Sequence, residues 1–180
     1  MNEENLYHVD ENDVEIGKVL KSEIRKNKLL SRSSIVLVFN PKGEILVHKR
    51  AETKDLFPDY YDMFIGGGVT YGESYDEAAI RETKEEIGAA KVQLVFLFKY
   101  KYDQGDNKSF FQVYKSVYSG AINFQKEEIE SGEFVSIEEL QKMIKEEKFC
   151  TDSVEMFEKY LKEYYGKSNK DSTATWLWRA

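Results

Sequence analysis

Five residues that could do chemistry crowd one short stretch of the chain: Glu73, Arg81, Glu82, Glu85 and Glu86. Glycines frame them, with Gly66, Gly67, Gly68 and Gly72 before and Gly88 after. If the stretch is helical, Glu82, Glu85 and Glu86 are neighbours that repel by about a few tenths of a kcal/mol per pair in the open. Beside an apolar face the dielectric is lower and the repulsion grows. A divalent cation reverses that sign. Carboxylate oxygens are the ligands Mg²⁺ prefers, and protein-bound Mg²⁺ shares its remaining positions with waters and substrate phosphates. The chemistry such a cluster supports is metal-assisted attack of water at phosphorus. Glycines let backbone approach a ligand closely, and helix N-termini attract phosphate. The plainer alternative is a solvated acidic helix face, against which the flanking glycines weigh.

A helix must carry these carboxylates. Ser74 followed by Glu77 forms a capping box, and Gly88 supplies a left-handed stop, so the spacing predicts a helix over about 75–87. On its wheel Ala79, Ile80, Thr83 and Ile87 form an apolar stripe for the core. Glu82, Glu85 and Glu86 form a second stripe beside it, with Ala78 leaving room and Arg81 on the flank. Strands must support the helix. Residues 33–40 read as a buried strand rich in β-branched residues, and 45–50 return as its partner after the turn at 41–44. Residues 7–20 read as a hairpin, 21–30 as a short helix or link, and 53–62 as a loop containing Pro58. Two long strands follow at 91–102 and 109–120, joined by a turn at 103–107, then a short strand at 132–137. Helical spacing marks 137–147 and 151–165, the latter ended by Gly166. Strands interrupted by one helix and closed by two predict an α/β mixed sheet covered on both faces.

Composition narrows the setting. The 180 residues are 41% hydrophobic and 33% charged, as expected of one globular domain. A formal net charge of −7 argues against binding a nucleic-acid polymer. The acidic N-terminus has no apolar run, no stretch reaches the length needed to span a bilayer, and Cys150 is the single cysteine. A cytoplasmic protein is expected. His8 and His48 stand alone and read as exposed or packed histidines. The aromatic run at 94–102 reads as alternating core and sheet surface, and Trp176 and Trp178 lie in a tail whose role the sequence does not choose.

The glutamate segment resembles the Nudix box, G-x5-E-x7-R-E-U-x-E-E-x-G-U, where U is bulky and apolar. Gly67, Glu73, Arg81, Glu82, Glu85, Glu86 and Gly88 match, while Thr83 and Ala89 depart at the two packing positions. The resemblance implies a Nudix α/β/α sandwich with a mixed β-sheet. It implies Glu82, Glu85 and Glu86 as ligands of Mg²⁺ or Mn²⁺, with one of Glu85 and Glu86 also acting as base or holding the attacking water. Arg81 would orient a glutamate, and Glu73 would support from outside. Residues 7–165 are further similar to isopentenyl-diphosphate isomerases and related hydrolases. That similarity implies a diphosphate clamp by Arg50 and Lys54, near Gly67 and Gly68. The isomerase activity itself is disfavoured: the loop before the box carries Ile65 and three glycines in place of the catalytic cysteine, and Ser31 replaces a metal-binding histidine. A further acid from a later loop is expected, and Glu128 fits better than Glu127.

These expectations describe an N-terminal hairpin and link at 1–30, a catalytic domain at 31–165 and a flexible tail at 166–180. The expected activity is hydrolysis of a phosphoanhydride in a nucleoside diphosphate derivative or a nucleoside di- or triphosphate. A nucleotide-sensing module without turnover is the alternative. The expected partner is a small diphosphate-containing substrate, with no nucleic-acid polymer and no membrane, and a homodimer left open.

Overall fold

The computed structural model describes residues 3–105 and 107–165. β1 (Asn5–Val9) and β2 (Glu15–Leu20) form an antiparallel hairpin. Asp10 closes its turn, accepting from the amides of Asn12 and Val14 at 2.8 and 2.9 Å, the local side-chain bonding that makes Asp a turn residue. α1 (Lys21–Lys26) then leads into β3 (Ser31–Phe39).

β3 is the spine of the sheet. It pairs antiparallel with β6 (Phe64–Gly68) and parallel with β8 (Asn107–Val117). β4 (Ile45–Arg50) does not continue as the full partner of β3 that its sequence suggests. The two share only the Phe39/Ile45 pair beside their turn. β4 instead pairs with β5 (Tyr61–Asp62) and β9 (Ile129–Val135), because β6 takes its place alongside β3. β7 (Val95–Gln104) pairs with β8 as a hairpin whose ladder runs to Gln104/Asn107, so the turn is tighter than 103–107. Among the described residues, nine strands form one mixed sheet.

Three longer helices cover the sheet: α2 (Tyr75–Ile87), α3 (Ile137–Glu146) and α4 (Thr151–Tyr160), the last continued by a π-helical turn at Leu161–Tyr165. The period-two alternation of β3 assigns the two faces. Val36 and Val38 pack with Ile65, Ala79 and Ile87 under α2. Ile35, Leu37 and Phe39 pack with Leu140, Met156 and Phe157 of α3 and α4. Each fully buried Leu, Ile, Val or Phe contributes about 1.5–3 kcal/mol relative to exposure. The result is the expected layering of helix, mixed sheet and helix. The expectations for Gly166, Trp176, Trp178 and the rest of 166–180 lie outside the described residues. Among the described residues, no helix is long and apolar enough to cross a membrane.

Candidate active site

α2 begins and ends where its sequence indicates. The Ser74 hydroxyl accepts from the amide of Glu77 at 3.2 Å, and the Glu77 carboxylate accepts from the amide of Ser74 at 2.8 Å. Gly88 closes the helix with φ of 74°. Its rotation differs from the expectation. Ala78, Ala79, Thr83, Glu86 and Ile87 are buried, whereas Ile80 is 42% exposed. At about 100° per residue the buried arc is centred close to Glu86, which leaves Ile80 just beyond its edge. Thr83, a departure from the usual packing residue, is fully buried and donates its hydroxyl to the Ala79 carbonyl at 2.9 Å. The hydroxyl is thus satisfied within the helix.

The rotation puts the carboxylates over the strand carrying the glycines. Glu82, Glu85, Glu86 and Glu128 line one cleft of about 320 Å³, together with Arg81. Arg81 is its hub. Its Nε and one terminal nitrogen reach both oxygens of Glu73 at 2.8 and 3.0 Å. The other terminal nitrogen reaches Glu82 at 2.8 Å and Glu85 at 3.2 Å. The first terminal nitrogen also donates to the Gly68 carbonyl at 3.1 Å. Both Glu73 oxygens are thus taken up by Arg81. The Gly66 amide donates to Glu86 at 3.3 Å. A Cβ on Gly67 would stand 2.7 Å from a Glu82 oxygen, so only glycine leaves Glu82 its place. Burial pushes the Glu82 carboxyl above the usual carboxylate range, against the pull of Arg81. Burial raises Glu86 as well, and the nearby Glu82 charge adds to it.

A cavity of about 140 Å³ adjoins the cleft, lined by Arg50, Lys54, Gly66, Gly67 and Gly68 among others. The structure thus gathers the expected phosphate-binding residues beside the carboxylates. Arg50 is fixed by the Leu56 carbonyl, to which it donates at 3.3 and 3.0 Å. Lys54 is paired with Glu128, and burial holds its ammonium below the usual lysine range. The loops bearing them are tied together, the Ala51 amide donating to the Glu128 carbonyl at 3.0 Å.

Several lining residues carry no sequence signal. Lys21 borders both the cleft and the cavity. Asp62, Asn107, Asp152 and Ser153 line the cavity. Ser153 donates to Asp62 at 2.7 Å, and Asn107 donates to Asp152 at 2.7 Å. They come from β5, β8 and α4, and only the sheet topology joins them. Cys150 also lines the cavity, where burial holds its thiol far above its usual range and keeps it protonated. His48 is fully packed away, its pKa pushed down to about 4 by burial.

The donor set suits a hard divalent cation. Five carboxylates line one cleft, Glu4, Glu82, Glu85, Glu86 and Glu128, and burial with neighbouring carboxylate charge raises Glu82 and Glu86. Carboxylate oxygens are what such a cation takes up. Among the described residues no three acids, histidines or cysteines are placed so that they could hold a metal ion as they stand. Arg81 holds Glu82 and Glu85, and Lys54 holds Glu128, in the pairs a cation would replace.

Known proteins share this sequence pattern and fold. The NUDIX domain family model matches residues 29–159. An uncharacterised Nudix hydrolase of Streptomyces coelicolor is 37% identical over 166 residues, covering 91% of each chain. A Deinococcus radiodurans crystal structure superposes with a TM-score of 0.72 at 27% identity, over 87% of this chain and 98% of the other. The Nudix domain of Shewanella oneidensis NrtR, solved with ADP-ribose, shares the fold at a TM-score of 0.58 and 14% identity, over 80% of this chain and 98% of its own. With its box on α2, its carboxylates in one cleft and its match over most of its length, the chain belongs to the Nudix family, among the hydrolases.

Proposed function

We propose that the chain hydrolyses a phosphoanhydride bond in a nucleoside diphosphate derivative or a nucleoside di- or triphosphate, with Mg²⁺ or Mn²⁺ held by Glu82, Glu85, Glu86 and Glu128. One observation carries the reading. The carboxylate cleft and a cavity rimmed by Arg50 and Lys54 lie side by side, with Lys21 bordering both. An anhydride placed across that boundary meets acids on one side and cations on the other. Nudix hydrolases generally require a divalent cation, and when bound it would polarise phosphoryl oxygens and acidify a bound water.

The protein's own residues supply the rest. Glu73 fixes Arg81, and Arg81 fixes Glu82 and Glu85. Glu85 is half exposed at the mouth of the cleft and Glu86 is buried in its wall, so either can hold the attacking water. Arg50 and Lys54 neutralise the phosphates, Lys54 by exchanging Glu128 for a phosphate oxygen. The cavity beyond them takes the group attached to the diphosphate. Its lining mixes Phe64 and Phe111 with Asn107 and Asp152, which suits a flat ring bearing hydrogen-bond donors. The ADP-ribose complex of a domain with the same fold supports this substrate class. Incubation with Mg²⁺ and a panel of nucleotides and nucleoside diphosphate conjugates tests the proposal. Turnover of at least one member is expected. No turnover above that of Glu86→Gln with any member contradicts it.

A further inference from the structure

The family match begins at residue 29, yet one carboxylate of the cleft comes from before it. Glu4 borders the cleft alongside Glu82, Glu85, Glu86 and Glu128. The backbone around it is anchored on both sides. Its carbonyl accepts from the Lys21 amide at 3.0 Å, and the next carbonyl, of Asn5, accepts from the Tyr71 amide at 2.8 Å. Leu6 forms a β-bridge with Thr70, in the loop that precedes α2. The N-terminal segment is therefore held across the loop between the glycines and the glutamate helix.

The side chain is aimed as well as anchored. One Glu4 oxygen accepts from the Thr70 hydroxyl at 2.5 Å and lies 3.9 Å from Arg81. The other lies 3.5 Å from the Lys21 ammonium. Arg81 also approaches the Thr70 hydroxyl at 3.4 Å, so Glu4 joins the same network that positions Glu82 and Glu85. Its charge is felt at Glu82, where it adds to the repulsion already present. With Glu4 the cleft holds five carboxylates against two lining cations, Arg81 and Lys21, an excess that a divalent cation would offset. Lys21 offsets Glu4 weakly, since a partly exposed pair at this distance contributes little.

We propose that Glu4 is a further carboxylate of the divalent-cation site, supplied by the N-terminal segment ahead of the Nudix match. It raises cation affinity directly or through a cation-bound water, and Lys21 is released toward the substrate phosphates when it does. The inference rests on the reading of the cleft as a cation site. A purely structural Glu4 would need only an oxygen acceptor for Thr70, which glutamine also provides.

Mn²⁺ binding to the full chain, followed by electron paramagnetic resonance without substrate, separates these roles. Glu4→Gln keeps the Thr70 acceptor, so its unfolding temperature is expected to stay within about 2 °C of wild type. Its Mn²⁺ affinity is expected to fall about fivefold or more, as affinity follows the charge count of the ligands. Glu3→Gln removes the same charge one residue away, where the carboxylate accepts from the Ser22 amide outside the cleft, and is expected to bind Mn²⁺ within about twofold of wild type. Affinity of Glu4→Gln within twofold of wild type, or an equal loss in Glu3→Gln, overturns the inference. If Glu4→Gln folds poorly, Glu4→Ala, which also removes the charge, is held to the same comparison. Glu82→Gln distinguishes the levels: if it leaves Mn²⁺ binding unchanged, the cation site itself is refuted, whereas loss there with none at Glu4 refutes only this step.

Discussion

The Arg81 guanidinium serves Glu73, Glu82, Glu85 and the Gly68 carbonyl at once. A planar fork of five donors can do this, and a lysine ammonium with three donors on a flexible stem cannot. Arg81→Lys is therefore expected to lower kcat/KM about 100-fold, with a loss of about 1–3 kcal/mol in denaturant unfolding from acids left unpaired. Near-normal turnover in that variant would show that Glu82 and Glu85 hold their places without Arg81. Gly67 offers a second, subtler test. The added methyl of Gly67→Ala meets Glu82 at 2.7 Å, where the flexible end of the glutamate must give way. Turnover is expected to fall about tenfold, corresponding to about 1.4 kcal/mol of transition-state binding, with little change in stability. These residues were legible from their types and spacing, because the box fixes them within a single helix and the loop before it. What the spacing could not reveal is how Arg81 divides its donors, which depends on where the Gly68 backbone runs.

At the scale of elements, α2 shows where a local reading succeeds and where it stops. Its caps are set by neighbours three residues apart, so Ser74, Glu77 and Gly88 were readable directly. Ser74→Ala is expected to cost about 1 kcal/mol. Its rotation is set by the sheet, and sequence alone placed Ile80 in the core. Ile80→Lys is accordingly expected to change stability by less than about 0.5 kcal/mol, the usual range for a surface position. A loss of several kcal/mol on chemical denaturation would restore Ile80 to the core. The partnership of β3 and β4 was misread for the same kind of reason. A short turn between two apolar strands predicts a hairpin, but the ladder belongs to β6, whose closeness to β3 depends on Gly66 fitting against Ser34, where a Cβ would stand 2.1 Å from a carbonyl oxygen.

Across the whole molecule, the cavity was the least legible feature. Asp62, Asn107, Asp152 and Lys21 lie on separate elements and converge only when the sheet is assembled. Glu4 reaches the cleft in the same way, over a segment read from sequence only as a hairpin and link. Assembly also fixes how the fold answers to acid. His48 is buried with its Nδ1 unpartnered, and its pKa is held at about 4 against 6.5 when free. Between about pH 6.5 and 4 the unfolded chain binds the extra proton, so this histidine withdraws stability as the pH falls through that window, about 3 kcal/mol in all. Asp152 acts oppositely. Burial and the Asp62 charge raise it to about 6, so its ionisation costs stability as the pH rises from about 4 to 6. Unfolding free energies of wild type and His48→Leu between pH 7 and 4 isolate the first effect: the acid-side loss is expected to shrink in the variant, and an unchanged slope would contradict it. Titrating Mg²⁺ into wild type and Glu86→Gln, while following hydrolysis of the best substrate from the panel, decides whether the clustered carboxylates cleave an anhydride only with a divalent cation among them. Saturable activation in wild type, abolished by chelation and reduced about 100-fold or more in Glu86→Gln, is predicted. Turnover that persists in chelator, or that survives intact in Glu86→Gln, would contradict it.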